Sequence, residues 1–104
     1  MLRELKEKDI DDVMKIWRDG NFKAHNFISS AYWSERYKIV QDEYLRKADT
    51  LVYDEDGNIK GFISIIDDGY IGALFVKEDS QREGIGRILI NYIKDKYERL
   101  YLKV

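Results

Sequence analysis

Residues 80–86, Ser-Gln-Arg-Glu-Gly-Ile-Gly, stand between the runs YIGALFV and RILINYIKDKY, and this handover constrains the fold more than any other feature. A run apolar on both faces predicts a strand inside a sheet. After it, Ile85, Ile88, Leu89, Tyr92, Ile93 and Tyr97 recur at helical spacing, with Lys94, Asp95, Lys96 and Glu98 on the wet side. The join therefore sets a helix N-terminus, with its unpaired N–H groups and positive dipole end, at the end of a strand. Such a terminus favours an anion. Glycines at 84 and 86 would let the main chain approach a phosphate with no Cβ in between. Taken alone, two glycines before a helix are more commonly a simple tight turn.

Two familiar nucleotide loops are excluded by the neighbouring residues. A Walker loop ends in Gly-Lys-Ser/Thr, whereas Gly86 is followed by Arg87-Ile88. A dinucleotide fingerprint needs a third glycine at 89, where Leu89 stands, and a first strand much nearer the chain start.

The rest of the chain predicts the order β-α-α-β-β-β-α-β. Residues 2–6 alternate apolar and polar as a half-buried strand does. Asp9 is placed to cap a helix striped by Ile10, Val13, Met14 and Trp17 and ending near Arg18, before a loop, DGNFKAHNFIS. Ser29-Ser30 opens a second helix, in which Trp33, Tyr37, Val40, Tyr44 and Ala48 share a face. A hairpin turns at Asp56-Gly57-Asn58, and Ile59, Gly61, Ile63 and Ile65 fall on one face of its second strand. Asp67-Asp68-Gly69 makes the next turn, Tyr70 to Val76 is assigned to the middle of the sheet, and residues 100–104 form a last short strand.

A length of 104 residues bounds this to one domain, 1–104, with one core. The absence of cysteine removes disulfides, thiolate zinc sites and a cysteine nucleophile, and the single His25 cannot build a histidine metal site, so no metal is expected. A net charge of −2 with both signs interspersed argues against nucleic acid as a partner. No apolar run approaches the roughly 20 residues that span a bilayer, and MLRELKEKD is unlike a signal peptide, so no membrane partner and a cytoplasmic address are expected.

The pattern Gln/Arg-x-x-Gly-x-Gly/Ala, here Gln81-Arg82-Glu83-Gly84-Ile85-Gly86 behind ALFV, resembles the acetyl-CoA loop of the GCN5-related N-acetyltransferases, the GNAT family. The order of elements matches that family along the whole chain. More narrowly, AHNFISSAYW, DEDGNIKGFISI and ALFV resemble its small bacterial members of the YiaC and YjaB type. The resemblance implies an α/β (α+β) acyl-CoA N-acyltransferase fold, with a mixed, mostly antiparallel sheet and helices on both faces. It also implies acetyl-CoA as co-substrate and direct acetyl transfer to an amine of a small molecule, a protein lysine or an N-terminus.

Site roles follow from the same resemblance. Main-chain groups of Leu74, Phe75 and Val76 would hold the pantetheine arm, one N–H facing the thioester oxygen. Amides from Gln81 through Arg82, Glu83, Gly84, Ile85, Gly86 and Arg87 would cradle the diphosphate. Arg82 or Arg87 would add a charge-assisted contact; for each, a solvated surface charge is an equal alternative. Glu83 is expected to point outward. No residue pair is assigned to deprotonating the amine and protonating the thiolate. His25 and Tyr70 are the candidates for catalysis, and both are grouped with Phe22, Phe27 and Trp33 on the acceptor side. The plainer readings are a histidine bridging Phe22 and Phe27, a packed strand tyrosine, and a core tryptophan.

Full-length members of the family continue with an Asn-x-x-Ala-x-x-Phe-Tyr helix and two more strands, which these residues do not include. The expectation is a truncated domain of impaired activity; the alternative is a non-catalytic remnant that binds CoA or only self-associates. A short apolar edge strand ending at Val104 is expected to pair with another chain as a homodimer.

Overall fold

A computed structural model describes residues 1–24, 30–45 and 47–102, and the side chains of these except at 22–24, 30, 31, 33, 34, 43 and 44. The described elements follow the order expected from the sequence: β1 (Leu2–Glu4), α1 (Ile10–Ala24), α2 (Ser30–Ile39), β2 (Asp49–Glu55), β3 (Asn58–Ile66), β4 (Tyr70–Val76), α3 (Ile85–Lys96) and β5 (Tyr101–Leu102). Single 3-10 turns at Glu7–Asp9 and Glu78–Ser80 precede α1 and α3, and π-helical turns at Val40–Leu45 extend α2. The strands form one sheet in the order β1-β2-β3-β4-β5; the first three pairings are antiparallel and β4-β5 is parallel.

Each face of the sheet carries its own core. On one side, Ile10, Val13, Met14, Ile16 and Trp17 of α1 pack with Val52, Ile59 and Phe62. On the other, Ile85, Leu89 and Ile93 of α3 pack with Leu51, Ile63 and Ile65. The α3 stripe is narrower than expected: Ile88 and Tyr92 are 40% and 50% exposed, because only positions four apart meet the sheet. The end of α3 is pinned to β2, where the Tyr97 hydroxyl donates to Asp49 at 2.6 Å and Lys96 lies 2.7 Å from the same carboxylate.

The middle strand is β3 rather than β4. It pairs with β2 and β4 along nearly its whole length and is buried on both faces. By contrast β4 is half-buried, with Gly72 exposed, and among the described residues β5 accompanies only Tyr70 and Ile71. The expected shared face of Ile59 with Ile63 and Ile65 is also corrected. Tyr53 pairs with Gly61 but Asp54 with Ile59, so Lys60 is bulged out. One extra residue reverses the alternation, and Ile59 joins Phe62 on the α1 side.

Helix α1 runs past its expected end near Arg18 to Ala24. Asp19-Gly20-Asn21 reads as a turn, yet a Cβ on Gly20 would lie 2.5 Å from Cδ1 of Phe75, so the glycine serves a close helix–strand approach. Asp9 does not cap α1 either. Its buried carboxylate reaches backward, accepting from the Lys6 N–H at 2.8 Å and from Arg3 at 2.6 and 2.9 Å. The 3-10 turn itself is closed by the Asp9 N–H, which donates to Lys6 C=O at 2.9 Å, and α1 continues from it.

The two hairpin turns differ in surroundings. Asp56 and Gly57 have φ of 53° and 88°, and nothing lies within 4 Å of a Cβ placed on Gly57. Gly69 has φ of 113°, and its Cβ would meet the Arg99 carbonyl oxygen at 2.0 Å, where the chain after α3 crosses the β3–β4 turn.

Candidate functional site

The site begins where β4 leaves the sheet. On the β3 side the ladder continues through the Lys77 N–H, which donates to Lys60 C=O at 2.8 Å, and the Phe75 carbonyl also lies against β3 at Gly61. Polar groups alternate along a strand, so those of Leu74 and Val76 face the β5 side. Among the described residues no strand pairs with that side beyond Ile71. Of the three residues expected to offer main-chain groups there, Leu74 and Val76 have them on the open side, and Phe75 has its own in the ladder.

The Phe75 ring, in turn, packs into the α1-side core and stacks on Phe62 with centroids 5.9 Å apart. Leu74 and Val76 lie against the α3-side core.

The chain returns toward α3 through the 3-10 turn, held by Ser80 N–H to Lys77 C=O at 2.9 Å. Ser80 is buried and its hydroxyl donates to Asp79 at 2.9 Å, a bond that holds the Asp79 carboxyl below the usual carboxylate range. The Gln81 N–H is directed at Glu78 C=O, 3.4 Å away, so this amide belongs to the turn rather than to the run that follows. Its side chain instead donates to Val76 C=O at 3.1 Å.

From Arg82 to Arg87 the main-chain N–H groups have no acceptor among the described residues. Arg82 and Gly84 both adopt left-handed φ, 70° and 83°, and Gly84 is the N-cap of α3 with no side chain capping it. Val76, Ser80, Gln81, Arg82, Gly84, Ile85, Gly86 and Arg87 line a recess of about 390 Å³. Ile85 is buried beneath it, while Arg82, Glu83 and Arg87 are exposed. Backbone donors around an open recess at a helix N-terminus are suited to an anion with several oxygens.

A second recess, of about 300 Å³, lies on the α1 side of the same strand end, among Ile16, Asp19, Gly20, Val76, Lys77, Glu78, Asp79 and Gln81. Val76 and Gln81 form the wall common to both.

Of the candidates for the acceptor side, Tyr70 alone has a described side chain, and it does not lie at this end. Tyr70 is half-buried at the opposite end of β4, paired with Ile66 and Tyr101 and about 13 Å from Leu74 by strand rise. His25 and Phe27, like the side chains of Phe22 and Trp33, lie outside what is described, as does Val104. Trp17 is core, edge-on to Tyr37. Among the described residues there is no cluster of three metal-ligating side chains, and no helix is long and apolar enough to cross a membrane.

The family model of the acetyltransferase (GNAT) domain matches residues 7–104. The peptidyl-lysine N-acetyltransferase YiaC of Escherichia coli K12 is 33% identical over the whole chain, which spans 71% of YiaC and 62% and 59% of two other curated relatives. The solution structure of apo-form YjaB from Escherichia coli superposes with a TM-score of 0.83 at 23% identity, over all of this chain and 70% of that one. A PaiA N-acetyltransferase from Thermoplasma acidophilum in complex with coenzyme A gives 0.76 at 18% identity, over 92% of this chain and 70% of that one. The fold is therefore the acyl-CoA N-acyltransferase fold that the family resemblance implies.

Proposed function

The chain belongs to the GNAT family of acetyltransferases, and on that premise we propose that it binds acetyl-CoA along the open side of β4 and passes the acetyl group to a lysine amine. The observation that carries this reading is the run of unengaged N–H groups from Arg82 to Arg87, set at the N-terminus of a 12-residue helix beside an open recess. The residues present fit a diphosphate there, and Arg82 and Arg87 are exposed at its rim to add charge. The coenzyme A bound to PaiA supports the same ligand class here.

When bound, acetyl-CoA supplies the activated acyl group. The part of the protein is to hold and orient. Leu74 presents its main-chain groups and Val76 its N–H to the arm, the Val76 carbonyl being taken by Gln81, and one N–H on that side meets the charge that grows on the acyl oxygen, a contribution of about 3 kcal/mol. Holding an amine beside that carbon makes the transfer effectively intramolecular. The lysine acceptor rests on the name of YiaC. In this proposal His25 takes the amine proton as the N–C bond forms and the C–S bond breaks, and coenzyme A leaves as a thiolate that solvent protonates, with Phe22, Phe27 and Trp33 on the acceptor side; Tyr70 is left out because of its place at the far end of β4.

Thermal unfolding with added acetyl-CoA tests the binding. At a hundred times the dissociation constant the ligand should add about 2.7 kcal/mol. Gly86→Val should abolish the shift while the protein still folds, because a Cβ at 86 meets only Val76 Cγ2, at an ordinary 3.8 Å. No shift in the unmodified protein overturns the reading. A shift without acetylation of lysine peptides would leave a CoA-binding protein that is not a lysine acetyltransferase.

A further inference from the structure

We propose that Gln81 is a positioning residue: its carboxamide ties the anion loop to the end of β4, so that the two halves of one extended ligand are met at a fixed spacing. The inference rests on the acetyl-CoA reading above but concerns a side chain, where that reading uses only main-chain amides and the arginines.

The geometry begins with Val76. Phe75 and Lys77 turn their polar groups to β3, so the Val76 carbonyl faces the open side, where no described strand can accept or donate. Its partner is Nε2 of Gln81, 3.1 Å away and five residues on. Between them the chain is folded into the 3-10 turn, closed by Ser80 to Lys77 and anchored by the buried Ser80. Gln81 thus returns to the strand the chain has just left. The next residue is Arg82, the first with an unengaged N–H.

A ligand whose diphosphate sits on the Arg82–Arg87 amides, and whose arm runs beside Val76, has the separation of those parts fixed by its own bonds. The separation of the protein's two sets of groups is fixed by the turn and by the Gln81 bridge. Because Gln81 is exposed, it adds little to the core and its removal leaves folding intact. A pre-set spacing avoids ordering the loop at the moment of binding, which is how preorganisation raises affinity.

Gln81→Met keeps the length and removes the donor without adding charge; Gln81→Arg restores a donor with reach. Binding is measured by calorimetry with two probes, acetyl-CoA and ADP, the latter carrying a diphosphate but no arm. The expected result is that Gln81→Met weakens acetyl-CoA about three- to tenfold, the worth of one neutral hydrogen bond. ADP binding should be unchanged, Gln81→Arg should recover most of the loss, and the melting temperature of the ligand-free protein should stay within about a degree. Equal weakening of both probes would make Gln81 a direct phosphate contact, and no change in either would make the bridge incidental; both outcomes overturn the proposal. Failure of the unmodified protein to bind acetyl-CoA is a different result and removes the acetyl-CoA reading itself.

Discussion

Gly20 shows how a single missing Cβ sets the position of a helix. A methyl there would stand 2.5 and 2.8 Å from two ring carbons of Phe75, and that ring is backed by the fully buried Phe62. Gly20→Ala must therefore displace α1 or rotate the ring, and we expect a loss of about 1–3 kcal/mol, measured by urea unfolding. In the sequence, Asp19-Gly20-Asn21 carries only a turn signal, since nothing local reveals which distant strand a glycine faces. The unengaged amides of Arg82–Arg87, the proposed diphosphate site, are marked in the sequence for the opposite reason: the glycine spacing itself shapes the backbone. Gln81 was marked by the same pattern, but for its N–H; the bridge from its side chain to Val76 leaves no spacing signature. Nor does residue type predict the left-handed φ of Arg82.

Elements reveal themselves through periodicity and are misread where periodicity breaks. The α3 helix and the Asp56-Gly57 hairpin follow regular patterns and were found from them. The bulge at Lys60 interrupts the alternation of β3, which is why Ile59 was placed on the wrong face. Strand β4 looks central because it is apolar on both sides, although among the described residues only Tyr101 and Leu102 cover its outer edge. At β1 the joint between elements is ionic: Arg3 contacts Asp9 at 2.6 Å and Asp54 at 2.9 Å, linking the first strand to the turn before α1 and to the hairpin. The Arg3 guanidinium, followed by the Lys6 N–H, holds the Asp9 carboxyl below the usual carboxylate range against the opposing effect of burial. Its folded value thus lies below the unfolded value of about 3.9. The stabilisation is complete above that pH and is lost as pH falls through the folded value. Asp9→Asn should lower stability at pH 7 by about 1–3 kcal/mol and flatten the acid side of a melting-temperature profile.

As a whole, the molecule is a sheet with a separate core on each face and an outer strand of which Tyr101 and Leu102 are 49% and 68% exposed. Among the described residues nothing pairs with its outer side, and an edge of this kind recruits a neighbour unless a charge blocks it. We expect light scattering to report dimers at high concentration and Leu102→Lys to restore monomers; a monomer throughout would remove this expectation. The two turns that join β2 to β3 and β3 to β4 have similar residues and opposite settings. One projects into open space at Gly57, while the other is pressed against the Arg99 carbonyl at Gly69. A fluorophore-bearing peptide or affinity tag spliced at Asp56-Gly57 would have room to leave the protein without disturbing it. The same graft at Gly69 would begin against the main chain that leads out of α3.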